Sequence, residues 1–272
     1  MKKFVPLLLL TMVMFSIAAV SQTRETRKVD TFTKISFRVP GKLYLRQGSP
    51  QKVEIEGKKD ILQEIETEVE GSRLVIGKEG KWFNWDWDGD EKVNVYITVA
   101  NIEGLSVSGS GDLIGETKIT ADDLDLNVSG SGSLRVDIDA RGDVEADVSG
   151  SGDLELKGKC RTFESDVSGS GSVKIDAAIA ETADFGVSGS GKIYASGSSE
   201  NVKTSISGSG KVLAANLETN RCEVRISGSG DVEINVKNEL DANISGSGSI
   251  SYKGNPSKVN SHASGSGSVR KF

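Results

Sequence analysis

The tetrapeptide Ser-Gly-Ser-Gly occurs nine times in this chain, starting at Ser108, Ser129, Ser149, Ser168, Ser188, Ser207, Ser227, Ser245 and Ser264. Successive copies lie 21, 20, 19, 20, 19, 20, 18 and 19 residues apart. A flexible Gly/Ser linker would neither hold that period nor place aliphatic residues beside every copy. A repeat of this length marks a solenoid, in which each unit buries its apolar face only by stacking on its neighbours.

Around the motif the residues alternate. In the third copy Val144, Ala146, Val148, Gly150, Gly152, Leu154 and Leu156 share one side of the chain, while Glu145, Asp147, Ser149, Ser151, Asp153 and Glu155 share the other. The second copy repeats this with Leu124, Leu126, Val128, Gly130, Gly132, Leu134, Val136 and Ile138. A period of two is that of a strand with one buried face, and the glycine density excludes helix. The pattern predicts an all-β parallel β-helix, or β-solenoid, with coils of about 20 residues, each carrying two short strands and a Ser-Gly-Ser-Gly turn. Equivalent strands of successive coils should pair at about 4.8 Å. Alternation places both glycines of each motif inward and both serines outward as two ladders, although bending at the glycines could turn one serine inward.

The rest of the chain is organised around this array. Residues 1–21 read as a signal peptide, with Lys2 and Lys3 before an apolar run and small residues Ala19 and Ser21 flanking Val20. Residues 22–28 read as a short N-terminal tail. Residues 29–100 read as atypical N-terminal coils that close the solenoid core, and 101–272 as the repeats. Ile61–Glu70 fits either a helical turn or a strand. No cysteine near the cleavage site points to a lipid anchor, and no later segment is apolar enough to cross a membrane. The expected location is outside the cytoplasm: periplasm, outer cell surface or extracellular. A net charge of −6 argues against nucleic-acid binding, which needs concentrated Lys and Arg. No cap motif follows the last repeat, which predicts free strand edges there and association through the solenoid ends.

Candidate sites are few. The sole histidine, His262, has neither a nucleophile nor a metal cluster to serve, so no catalytic residue is expected. Cys160 and Cys222 fall three coils apart, about 14 Å along the rod by strand spacing, and read as buried free thiols. Four residues before successive motifs stand Asp125, Glu145, Glu164, Asp184, Lys203, Glu223 and Asp241. In register this is an acidic column, either a solvated face or one relieved by calcium. Trp82, Phe83, Trp85, Asp86, Trp87 and Asp88 form an aromatic and acidic segment that could plug the solenoid end, contact a partner or bind calcium. Asn84, Asp86, Asp88 and Gly89 match the first half of a calcium loop, but Val95 stands where its Glu belongs. No other cofactor is implied, and no residues read as a dedicated metal site.

The export signal, the Phe32…Ile35…Phe37 start, the Lys52–Glu56 strand and the serial Val-Ser-Gly-Ser-Gly-Asp-Leu motifs resemble the putative auto-transporter adhesin family, head GIN domain, of exported bacterial proteins. The resemblance covers about residues 29–272. It implies a right-handed β-helix and adhesion at the cell surface. No translocating barrel or surface-sorting segment accompanies the repeats, so an autotransporter route is not expected. The expected function is an exported, non-catalytic adhesion or binding module presenting extended faces to glycan, matrix or envelope partners. A polysaccharide-acting β-helix enzyme and a structural, self-associating envelope protein are the competing readings.

Overall fold

The computed structural model describes residues 22–78 and 93–272. Residues 23–27, read from the sequence as part of a tail, form strand β1 (Thr23–Arg27). The chain continues through β2 (Lys34–Phe37), β3 (Lys42–Gln47), β4 (Lys52–Gly57), a short helix α1 (Lys59–Glu64), β5 (Glu66–Glu70), β6 (Arg73–Gly77) and β7 (Asn94–Val99). Both alternatives for Ile61–Glu70 are thus realised in succession, helix first and strand second.

From β8 (Gly104–Gly109), β9 (Asp112–Gly115) and β10 (Ile119–Ala121) onward the coils are regular. They comprise β11 (Leu124–Gly130), β12 (Ser133–Ala140), β13 (Asp143–Gly150), β14 (Asp153–Cys160), β15 (Thr162–Gly169), β16 (Ser172–Ile179) and β17 (Thr182–Gly189). Later coils run nearly unbroken as β18 (Lys192–Gly208), β19 (Lys211–Gly228) and β20 (Asp231–Gly246). They end with β21 (Ser249–Lys253), β22 (Lys258–Gly265) and β23 (Ser268–Lys271).

These strands build two parallel stacks, and each Ser-Gly-Ser-Gly turn carries the chain from the first to the second. The first stack runs β6, β2, β8, β11, β13, β15 and β17, then the later halves of β18, β19 and β20, and last β22. The second runs β7, β3, β9, β12, β14 and β16, then the earlier halves of β18, β19 and β20, and last β21 and β23. The fold is the expected β-solenoid.

Burial follows the alternation. Val144, Ala146, Val148, Leu154 and Leu156 of one coil are all at most 1% exposed. Each large aliphatic side chain so buried contributes roughly 1.5–3 kcal/mol of hydrophobic stabilisation. The column Leu126, Ala146, Ser165, Phe185 and Thr204 shows how sizes offset one another from coil to coil. Where Ser165 intrudes on the core, its Oγ donates to the Ala146 carbonyl at 2.7 Å. That bond meets the requirement that a buried hydroxyl be paired.

The two glycines of each motif do different work, which departs from the inward pairing expected. Gly150 is half-buried with φ +108°, the left-handed bend that turns the chain out of β13. Gly152 is fully inward. A Cβ there would stand 2.6 Å from both the Gly132 carbonyl oxygen and a methyl of Val128. Both serines face solvent, and the first of each motif pairs in register from Ser108 through Ser129, Ser149, Ser168, Ser188, Ser207, Ser227 and Ser245 to Ser264. Between them the backbone stays bonded across coils, as in Ser151 N–H to Gly130 O at 2.8 Å.

The N-terminal section closes the core, but not in chain order. Strands β2 and β3 lie inside the rod, sandwiched between β6 and β7 on the outer side and β8 and β9 on the inner. Antiparallel strands finish this end: β5 on β6, and β4 then β1 on β7. Helix α1 buries Ile61 and Leu62 and leaves Lys59, Asp60, Gln63 and Glu64 exposed, as a polar lid should. Among the described residues, no helix is long and apolar enough to cross a membrane.

Candidate binding face

Register makes the acidic column real. Asp125 lies beside Glu145, Glu145 beside Glu164, and Glu164 beside Asp184 on the outer face of the first stack. Lys203 then interrupts, and Glu223 and Asp241 follow. Two residues further along the same strands, Asp147 and Asp166 form a second row, with the Asp166 amide donating to Asp147 Oδ1 at 3.3 Å. Four consecutive coils therefore gather six carboxylates. The acidic column expected from the sequence does not include Asp147 and Asp166. The signal that could have joined them was the two-residue offset, since outward residues i and i+2 share a face.

The electrostatics follow from crowding. Asp147 first, with burial and then Asp125, Glu164 and Asp166, pushes the Glu145 carboxyl above its ordinary value. Burial, with Asp166 adding, pushes Asp147 up despite the amide it accepts. Lys34 reaches Asp125 at 3.0 Å at the rim of the patch. The outer face of the second stack handles charge differently. There Arg135 lies beside Glu155 and Glu155 beside Lys174, while Asp137, Lys157 and Asp176 alternate in the next row. Arg135 bonds Glu155 at 2.9 Å, and against burial, which pushes the carboxyl up, Arg135 and then Lys157 hold Glu155 below its usual range. The same repeat length supports alternating charge on one face and stacked like charge on the other.

The serine ladder borders the acidic face, because each Ser-Gly-Ser-Gly turn ends the strand that carries the acids. Past the turn the hydroxyls also meet carboxylates: Ser133 Oγ donates to Asp112 Oδ1 at 2.6 Å, and Ser249 Oγ to Asp231 Oδ1 at 2.6 Å. The opposite corner of the rod holds a groove of about 830 Å³ floored by Ala140, Cys160 and Ile179. Its rim charges satisfy one another, with Arg161 on Asp143 at 2.6 Å and on Glu181 at 3.4 Å. The sequence offered no sign of it, because this corner lacks a repeated motif.

The remaining candidates separate. Trp82, Phe83, Trp85, Asp86, Trp87 and Asp88 lie outside the described residues. His262 is exposed in the last coil beside Asn243. Cys160 and Cys222 are both buried and free, and burial pushes each thiol up to about 12. Among the described residues no cluster of His, Cys, Asp or Glu has the geometry of a metal site.

A family model described as putative auto-transporter adhesin, head GIN domain, matches residues 31–195 and 180–256. Three solved structures share the fold. A putative lipid binding protein from Parabacteroides distasonis aligns with TM-score 0.67 at 22% identity, covering 92% of this chain and 96% of its own. A putative adhesin from Parabacteroides merdae aligns with TM-score 0.64 at 21% identity, with 92% and 96% covered. A putative adhesin from Parabacteroides distasonis aligns with TM-score 0.66 at 20% identity, with 93% and 98% covered. No curated protein matches the chain.

Proposed function

This chain belongs to the putative auto-transporter adhesin family, head GIN domain, and we propose that it is an exported, non-catalytic binding module that holds an extended glycan along the acidic face and serine corner of the first stack. The family and its structural neighbours support a binding role over an enzymatic one. The observation that carries the glycan reading is the contrast between the two faces. The second stack alternates charge between coils, whereas the first leaves Asp125, Glu145, Glu164 and Asp184 stacked at strand spacing. Like charges across paired strands are unfavourable, and a functional site is where a chain breaks such a local rule. Carboxylates accept hydrogen bonds from sugar hydroxyls, and the serine ladder both donates and accepts. A rod offers these groups at one spacing over many coils, which suits a polymer better than a small molecule.

The test is binding of the purified protein to a glycan array, with and without calcium, beside two variants. Glu145→Gln/Glu164→Gln and Ser149→Ala/Ser168→Ala should each fold normally and lose at least tenfold in affinity for the glycan that the wild type selects. Binding by the wild type to no glycan, or binding unchanged in both variants, would overturn the assignment. Calcium dependence would identify a cation as the bridge between carboxylates and sugar.

A further inference from the structure

The two corners of the rod differ in shape. At the Ser-Gly-Ser-Gly corner each turn rests directly on the turn below, as Gly152 does on Gly132. At the opposite corner, where the chain leaves a second-stack strand for the next first-stack strand, the groove of about 830 Å³ runs parallel to the rod from Asp139 to Lys237. It crosses six coils, a length of about 24 Å at strand spacing. Its floor is one inward residue per coil, Ala140, Cys160, Ile179, Ser199 and then Thr219, each at most 6% exposed. One wall reads Asp139, Lys159, Ala178, Ser198 and Glu218 in register. Small side chains thus stand in the middle of that wall and charged ones towards both ends. Across Ile179 stands Ala180, also small and exposed, so the groove opens at its centre.

We propose that this groove holds a single chain of a neutral, linear glycan lying parallel to the rod, a site distinct from the one formed by the acidic column and the serine ladder. Charge selects a neutral ligand. The lining holds four cations and four carboxylates, and each cation already bonds a carboxylate of the rod. Arg141 meets Asp122 at 2.7 Å, Lys159 meets Asp139 at 3.2 Å, Arg161 meets Asp143 at 2.6 Å and Lys237 meets Glu218 at 2.7 Å. A polymer of either sign therefore gains little there. The backbone argues against a peptide. Coils bond to one another along the groove, as in Arg161 N–H to Gly142 O at 3.0 Å and Ala180 N–H to Cys160 O at 3.0 Å, so the main chain is engaged and a peptide cannot add as a strand. The floor argues against an acyl chain, because its buried residues leave little apolar surface to cover. What the groove offers is hydrogen bonding, from the Ser198 hydroxyl, the Asn220 carboxamide and the carboxylates, groups that donate to and accept from sugar hydroxyls. The coil step resembles the advance of a sugar unit in an extended β-linked chain, so each coil faces about one unit. Ala178, Ala180 and Ser198 let a ring approach the floor, and side chains already held in ion pairs lose less freedom on binding.

Amide NMR of the isotope-labelled protein, titrated with linear hexasaccharides of β-linked glucose, xylose and mannose, tests this. At least one sugar should shift the amides of Ala178, Ala180, Ser198 and Glu200 and leave those of Ser149 and Ser168 in place. Ala178→Trp/Ser198→Trp fills the centre of the groove from two exposed positions. It should melt as the wild type does and bind that sugar at least tenfold more weakly. Glu200→Ala/Asn220→Ala, which breaks a 2.6 Å hydrogen bond at the wall without filling the groove, should also weaken binding. Shifts from none of the three sugars, shifts centred on the serine corner, or undiminished binding by both variants overturn the proposal. An equal response at the groove to oligogalacturonate, to glucosamine oligomers or to palmitate overturns it too, because those probes bring charge or an acyl chain.

Discussion

Gly152 packs onto Gly132 of the preceding coil so closely that a Cβ would stand 2.6 Å from the Gly132 carbonyl oxygen. The same approach recurs where Gly171 meets Gly152, at 2.5 Å. Each coil thus rests its turn directly on the turn below. Gly152→Ala should destabilise the protein by about 1–3 kcal/mol, the usual cost of overpacking a core. Gly150→Ala should also destabilise, through its φ of +108°. Ser151→Ala, on the exposed residue between them, should stay within about 0.5 kcal/mol of wild type. Thermal melts of the three variants give the comparison.

The acidic face carries a pH signature. Glu145 and Asp147 have folded-state pKa values raised above their ordinary ones, so they destabilise the fold when ionised at neutral pH. That cost is relieved as pH falls through their raised values. Asp231, held below its ordinary value first by Lys211 and Ser249, behaves oppositely: its contribution is lost as pH falls through its lowered value. Glu145→Gln should therefore stabilise the protein at pH 7, seen as a higher melting temperature, by at most about 1 kcal/mol because the site is solvent-screened. The gain should shrink in molar salt and vanish where carboxylates are protonated, while glycan affinity falls.

Both cysteines should be inert in the folded state. With each thiol pushed up to about 12 by burial, almost no thiolate exists at pH 8. Titration with a disulfide reagent should find no fast-reacting thiol in the native protein and two after unfolding in guanidinium chloride.

Protection of the backbone should grade along the rod. A coil buries its apolar face against both neighbours, but Val259 and Phe272 are left 41% and 54% exposed in the last one. Hydrogen exchange by mass spectrometry should show β22 and β23 exchanging fastest among the regular coils and β13 to β17 slowest.

Much of the fold was legible because a solenoid is nearly one-dimensional. Val144, Ala146 and Val148 declare their inward direction by spacing alone, and the repeat length tells each which residue lies above it. For the same reason Asp125, Glu145, Glu164 and Asp184 could be stacked from the sequence. What the pattern missed was lateral. Asp147 and Asp166 join the patch because outward residues two apart share one face, and the groove near Cys160 forms at a corner without a motif.

The sequence by itself determined the coil period, the inward and outward sides of every regular strand, and where each Ser-Gly-Ser-Gly turn falls. These are local or nearest-neighbour properties, set by strand alternation and by the lack of a Cβ on glycine. Only the tertiary structure decided how the N-terminal section closes the core. There β6 and β7 cover β2 and β3, although they follow them in the chain, and β5, β4 and β1 finish the edge antiparallel. That order depends on which segment can lie over an exposed core while leaving a polar surface outside. Contacts across the whole section settle such a choice, and no short-range pattern records it.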